Sequence, residues 1–160
     1  MFPTILTILI ILLVILISGL VVYACLTFPG KRRPISPELL GAQYAHRGLH
    51  NAERAENSIS AFRHSVELGF GIELDVRLSK DGVLVVFHDD TLDRMTGLSG
   101  RVIDYTAEEL SAMRLAGTED GIPTFSEVLS LIGGRVPLLV EIKEDASVSE
   151  VGLKTAEMLK

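Results

Sequence analysis

The 160-residue chain is long enough for one domain of ordinary size, and its 15 basic residues stand against 21 acidic ones. The net charge of −6 arises entirely after Gly30 and excludes a basic nucleic-acid surface. A single cysteine, Cys25, excludes an intrachain disulfide framework.

Residues 2–30 contain no charged side chain, and residues 5–28 are almost wholly Ile, Leu and Val. At a rise of 1.5 Å per residue this stretch would span about 36 Å as a helix, enough to cross a hydrocarbon core of ~30 Å with some tilt. A water-soluble helix of that length would show a polar face. A cleaved signal peptide would carry basic residues before the apolar run, and none is present. Val22-Tyr23-Ala24-Cys25 faintly resembles a bacterial lipoprotein cleavage site, but the tyrosine and the missing basic start weigh against it. Residues 1–30 therefore read as a retained transmembrane anchor. Lys31-Arg32-Arg33 follows at once. The positive-inside rule then leaves the N-terminus outside and the rest of a single-pass protein in the cytoplasm. Residues 31–42, basic and with two prolines, read as a linker.

Next comes Gln43-Tyr44-Ala45, a short strand expected to end in a loop at His46-Arg47-Gly48. Asn57-Ser58 should cap a helix whose stripe is Ile59, Phe62 and Val66, stopped by Leu68-Gly69. Residues 72–78 then alternate apolar and polar, the period of a half-buried strand. Lys80-Asp81-Gly82 is turn chemistry, and residues 83–87 form an apolar, β-branched second strand. If the turn centres on Lys80-Asp81, Arg77 pairs with Leu84, Asp75 with Val86 and Glu73 with His88. Two carboxylates and a histidine would then share one end of the hairpin, a layout suited to metal-assisted hydrolysis. The plainer alternative is a solvated strand face that happens to carry Glu, Asp and Arg.

Residues 91–100 are polar and turn-rich and read as an irregular loop. Thr106-Ala-Glu-Glu109 is a capping box opening a helix to about Leu115, and residues 117–121 are a loop. Thr124-Phe-Ser-Glu127 is a second box, opening a helix through Leu131. Residues 136–143 alternate, with Leu138, Val140 and Ile142 on one face and Leu139, Glu141 and Lys143 on the other. Ser147-Val-Ser-Glu150 is a third box, and its helix runs to Lys160 without a stop signal. Phe62, Phe125 and Leu129 read as core, and His50, His64, Glu108, Glu109, Glu119 and Asp120 as surface.

Strands alternating with capped helices indicate an α/β fold with a largely parallel sheet. A (β/α)₈ barrel takes about 250 residues, so the part after the anchor matches close to half of one. We expect an N-terminal piece of a longer protein, inactive by itself. In a parallel barrel the strand ends would gather His46, Arg47, Glu73, Asp75, His88, Glu141 and Lys143 on one face. Three acidic oxygens suit Mg²⁺ or Ca²⁺. Arg47 and Lys143 supply donors for a phosphate, and two histidines supply an acid and a base. Singly each signal is weak; together they ask for a phosphate ester, a divalent cation and proton transfer.

These residues resemble the glycerophosphodiester phosphodiesterase family. Its motifs are met in order at His46-Arg47-Gly48, Glu56-Asn57-Ser58, Glu73-Leu74-Asp75-Val76, Lys80-Asp81-Gly82, Val86-Phe87-His88-Asp89, Ile122-Pro123-Thr124 and Glu141-Ile142-Lys143. The similarity runs from about Tyr44 to the end, and the apolar start is similar to the membrane-anchored bacterial branch. The resemblance implies a TIM barrel, here its N-terminal part over residues 43–160. It implies a divalent cation and hydrolysis of glycerophosphodiesters to glycerol 3-phosphate and an alcohol. It further implies His46 and His88 as the acid/base pair, Glu73, Asp75 and Glu141 as metal ligands, and Arg47 and Lys143 on the phosphate. Where the family usually has Pro-Glu-Asn-Thr, this chain has Ala55-Glu56-Asn57-Ser58, which removes no ligand. Two other readings are a lysophospholipase-D-like activity on membrane lipids, favoured by the anchor, and a membrane-tethered binding protein without catalysis, disfavoured by the intact site.

Overall fold

The structure is a computed structural model that describes residues 2–27, 37–143 and 148–160. The chain falls into two units, Met1–Ser36 and Pro37–Lys160. In the first, helix α1 (Phe2–Thr27) carries the predicted apolar run, with Leu6–Ala24 at a mean hydropathy of 3.0 and its described side chains exposed, apart from a half-buried Ala24. It is long and apolar enough to cross a membrane, a property that a signal sequence shares. Lys31-Arg32-Arg33, on which the predicted orientation rests, lies outside the described residues. So does the first half of the predicted linker, residues 31–36; in its second half Pro37–Gly41 forms a short helix, α2.

In the second unit, strand β1 (Tyr44–His46) is followed by helix α3 (Ile59–Glu67) and strand β2 (Gly71–Leu78). Ser58 caps α3 as expected, its hydroxyl accepting from the Ala61 N–H at 3.2 Å. Strand β3 (Leu84–Val86) pairs antiparallel with β2, and strand β4 (Leu138–Ile142) pairs with it in parallel. Between them lie helix α4 (Asp93–Thr96), a 3₁₀ turn (Val102–Asp104), helix α5 (Ala107–Ser111) and helix α6 (Phe125–Ile132). Helix α7 (Val148–Met158) follows β4; Ser147, the expected cap, lies outside the described residues.

The alternation read in residues 72–78 has a simple outcome. Ile72, Leu74, Val76 and Leu78 enter a core with Phe62 of α3, Phe125, Val128 and Ile132 of α6, and Val151 of α7. Leu129 packs against this core and is partly buried. Glu73, Asp75 and Arg77 occupy the opposite face. A second apolar cluster, including Val85, Phe87, Leu92, Met95, Leu110, Leu115 and Ile122, underlies the segments between β3 and α6.

Four expectations are corrected. The hairpin register is one residue off the predicted one: Arg77 pairs with Val85 and Val76 with Val86. The cause is a three-residue turn. Gly82 adopts φ +75 and its N–H donates to the Ser79 carbonyl inside the turn, while Ser79 N–H donates to the Val83 carbonyl and Val83 N–H to the Ser79 hydroxyl. Asp75 thus lies opposite Phe87, whose N–H donates to its carbonyl at 3.0 Å, and Glu73 is not opposite His88. The hairpin forms as read, with its second strand antiparallel, so the expected gathering of His88 with the parallel strand ends is corrected: the hairpin carries the chain back to the level of Asp75. The loop at 91–100 contains α4, because burial of Leu92 and Met95 winds one turn that ends at Gly97 (φ +71). Helix α5 stops at Ser111, since the chain must turn to bury Leu115 and then pass through Ala116 at φ +47.

Candidate active site

Parallel register assembles the site. His46 aligns with Glu73, and Asp75 aligns with Glu141. Neighbours in register on parallel strands point to the same side, so three strands deliver their acidic and imidazole groups to one face of the sheet. Ligand oxygens of Glu73, Asp75 and Glu141 all lie within 4.8 Å of one another. Their side chains range from enclosed to open: Asp75 is 1% exposed, Glu73 13% and Glu141 53%.

Two cations close on these carboxylates. Lys143 Nζ lies 2.6 Å from Glu141 Oε1 and 3.1 Å from Asp75 Oδ1. Burial pushes the Lys143 ammonium down, but its contacts with Glu141 and Asp75 outweigh that, so its pKa is raised and it stays charged. Arg47 is held at φ +56 just after β1. Its N–H donates to Glu73 Oε2 at 3.1 Å, its Nε stands 3.5 Å from Asp75 Oδ2, and its Nη1 donates to Glu56 at 2.9 Å. His46 Nε2 lies 3.9 Å from Glu73 Oε2.

The donor set fits a hard divalent cation. It offers carboxylate oxygens and no sulfur, in a cluster with more acidic than basic groups. Asp75 Oδ1 is buried without a hydrogen bond, the Lys143 contact being an ion pair off hydrogen-bonding alignment. A fully enclosed carboxylate oxygen with a lone pair to spare is what a coordinated cation would satisfy.

His88 follows β3 directly after Phe87, whose N–H bonds the Asp75 carbonyl, and no contact with the three carboxylates is seen among the described residues. Arg77 holds the backbone there, donating through Nε and Nη2 to the His88 carbonyl at 3.0 and 2.8 Å. Asp89 Oδ1 lies 2.6 Å from His88 Nδ1. Burial raises the Asp89 carboxyl, but Arg94 and His88 draw it down to about 2, so at neutral pH it can only accept and the ring nitrogen donates.

Residues 46–159 match the glycerophosphoryl diester phosphodiesterase family. The chain belongs to that family. Among curated relatives, a glycerophosphodiester phosphodiesterase of Caldanaerobacter subterraneus is 48% identical over 108 residues, covering 62% of this chain and 44% of its own. The chain spans less than half the length of such relatives. Among solved structures, an Oleispira antarctica phosphodiesterase in complex with the product sn-glycerol-3-phosphate superposes with a TM-score of 0.67 at 29% identity, covering 74% of this chain and 51% of that one. A glycerophosphodiester phosphodiesterase from Thermotoga maritima gives 0.63 at 36% identity, over 74% of this chain and 50% of that one.

Of the seven site residues read from sequence in this glycerophosphodiester phosphodiesterase relative, six are brought into direct contact: His46, Arg47, Glu73, Asp75, Glu141 and Lys143. Four residues were given no site role from sequence. Asn57, buried and at φ +55, donates Nδ2 to Asp75 Oδ2 at 2.9 Å. Glu56 and Arg94 form an ionic hydrogen bond of 2.6 Å, and Arg77 anchors His88. Asn57 and Glu56 lie inside a quoted motif, so a signal was present; Arg94 gave none. Asp120, read as solvated, accepts from the Ser60 side chain and ties α3 to the loop at 117–121.

Proposed function

We propose that this chain supplies the N-terminal part, residues 43–160, of a (β/α)₈-barrel phosphodiesterase that hydrolyses glycerophosphodiesters to glycerol 3-phosphate and an alcohol. The observation that carries the reading is the convergence of Glu73, Asp75 and Glu141 with Arg47 and Lys143. Glu73, Asp75 and Glu141 would hold Mg²⁺ or Ca²⁺, which when bound neutralises the phosphate and the charge developing on it. Arg47 and Lys143 bind the phosphate oxygens. Of His46 and His88, one takes the proton of the substrate's glycerol 2-hydroxyl as its oxygen bonds to phosphorus. The other gives a proton to the alcohol oxygen as the P–O bond to it breaks. The roles then reverse while water opens the cyclic phosphate. Support comes from the family match and from the relative whose structure holds sn-glycerol-3-phosphate. The natural full-length protein, assayed in detergent, is expected to turn over glycerophosphocholine with a kcat/KM at least about tenfold above that for lysophosphatidylcholine, and to stop on chelation. The reverse preference would favour the lysolipid reading, which the apolar helix α1 supports.

We further propose that residues 1–30 anchor the protein as a single transmembrane pass with the catalytic part in the cytoplasm. The protein should stay with the membrane fraction through a high-salt and alkaline wash and leave it only with detergent. Release by the wash alone would contradict an anchor.

A further inference from the structure

Arg94 projects from α4 between two loops that the proposed chemistry uses. Its Nη2 and Nη1 reach Glu56 Oε1 and Oε2 at 2.6 and 3.2 Å, and its Nε reaches Asp89 Oδ2 at 2.6 Å. Each carboxylate has a second partner: Glu56 Oε1 accepts from Arg47, and Asp89 Oδ1 accepts from His88. One guanidinium therefore joins Arg47 and His88 through a continuous run of five side chains. The geometry is a bidentate fork plus one further bond, which fixes orientation as well as distance. Stability is a weak explanation for it, because Arg94 is 48% exposed and ion pairs at such positions contribute little. Both carboxylates are held ionised. Burial pushes Glu56 up and Arg94 and Arg47 outweigh it, while Asp89 is lowered as described above.

We propose that Arg94 is a positioning residue that fixes the phosphate-binding Arg47 and the acid/base His88 in one relation, through Glu56 and Asp89. This rests on the roles assigned to Arg47 and His88 above. The hydrogen bonds of Arg94 go to Glu56, Asp89 and the Met95 sulfur and to none of the residues given a role in the chemistry, so its loss should act on turnover more than on binding. The test uses the natural full-length protein and glycerophosphocholine. Arg94→Ala should lower kcat by about 10- to 100-fold with KM changed less than about threefold. Arg94→Lys should recover part of the loss, since an ammonium can keep one carboxylate in place. Asp89→Asn should reproduce the kcat loss from the other side of the contact and serves if Arg94→Ala does not fold. Adding Arg94→Ala to His88→Ala should cost less than the same exchange costs in the parent, because the part that acts through Asp89 and His88 is already lost and only the arm through Glu56 to Arg47 remains. A kcat within about threefold of the parent for Arg94→Ala, or a full additional loss in the His88→Ala background, would overturn the proposal. If His88→Ala turns over like the parent, the acid/base reading itself fails and takes this inference with it; loss in His88→Ala with none in Arg94→Ala refutes the positioning role alone.

Discussion

Asparagine in place of Asp75 is expected to abolish the response to divalent cations and to lower turnover by roughly a thousandfold, the several kcal/mol that a metal centre supplies. The exchange keeps the shape of the side chain and removes its charge. Asp75 is the most enclosed member of the carboxylate cluster, and its Oδ1 lacks a hydrogen bond. An amide there can offer one oxygen and no charge, and its NH₂ could only oppose Arg47 or Lys143. Two effects on stability compete. Removing one partner of a buried ion pair typically costs about 3–5 kcal/mol. Here each cation keeps another carboxylate, Glu56 for Arg47 and Glu141 for Lys143, and the mutual repulsion of the cluster falls. We therefore expect a loss of only about 1–2 kcal/mol in the metal-free protein, below the usual range for buried pairs. The decisive readout is thermal: Mg²⁺ or Ca²⁺ should raise the unfolding midpoint of the parent and leave that of Asp75→Asn unchanged. A midpoint that rises equally in both proteins would remove Asp75 from the metal site.

Why the cluster was legible and its surroundings were not follows from range. The alternation of residues 72–78 and 136–143 is local, and it alone fixes which side chains share a face; parallel pairing then brings Asp75 beside Glu141. The helix caps are equally local, and Ser58, Thr106 and Thr124 cap as read. The hairpin register depended on whether Gly82 closes a two- or a three-residue turn, and the Ser79 hydroxyl, bonded to Val83 N–H, decides it. The length of α5 depended on Leu115, whose burial needs Leu92 and Met95 from a distant segment. No local pattern marks Arg94, because its partners lie 38 residues and 5 residues away with no period to link them.

Aspartate at position 57 is expected to be the most destabilising single exchange in the site, at about 3–5 kcal/mol in chelator at neutral pH. Asn57 is 1% exposed, and its Nδ2 donates to Asp75 Oδ2 at 2.9 Å. A carboxylate there would replace a donor by a second buried acceptor against the same oxygen. Two such groups cannot both ionise, so one takes up a proton and its pKa is pushed up. Because that pKa lies above the unfolded value, the penalty is greatest at neutral pH and fades as the pH falls toward the ordinary carboxylate range. Backbone strain is not the cause, since aspartate tolerates φ +55 nearly as well as asparagine. Asn57→Ala, which only deletes the donor, should cost about 1–3 kcal/mol. Denaturant midpoints of the three proteins at pH 7 and pH 5 check this order; equal midpoints at pH 7 would mean that Asn57 does not support Asp75.

Everything proposed above for catalysis requires this face of the sheet to be a metal-dependent phosphodiester-hydrolysing site. The most direct test is production of glycerol 3-phosphate from glycerophosphocholine by the natural full-length protein, with Mg²⁺ or Ca²⁺, with and without chelator, beside His46→Ala. Turnover should stop on chelation, return with either cation, and fall at least about a hundredfold in a folded His46→Ala variant. Turnover indifferent to chelator and to His46→Ala, or none from folded, metal-supplied protein, would contradict such a site.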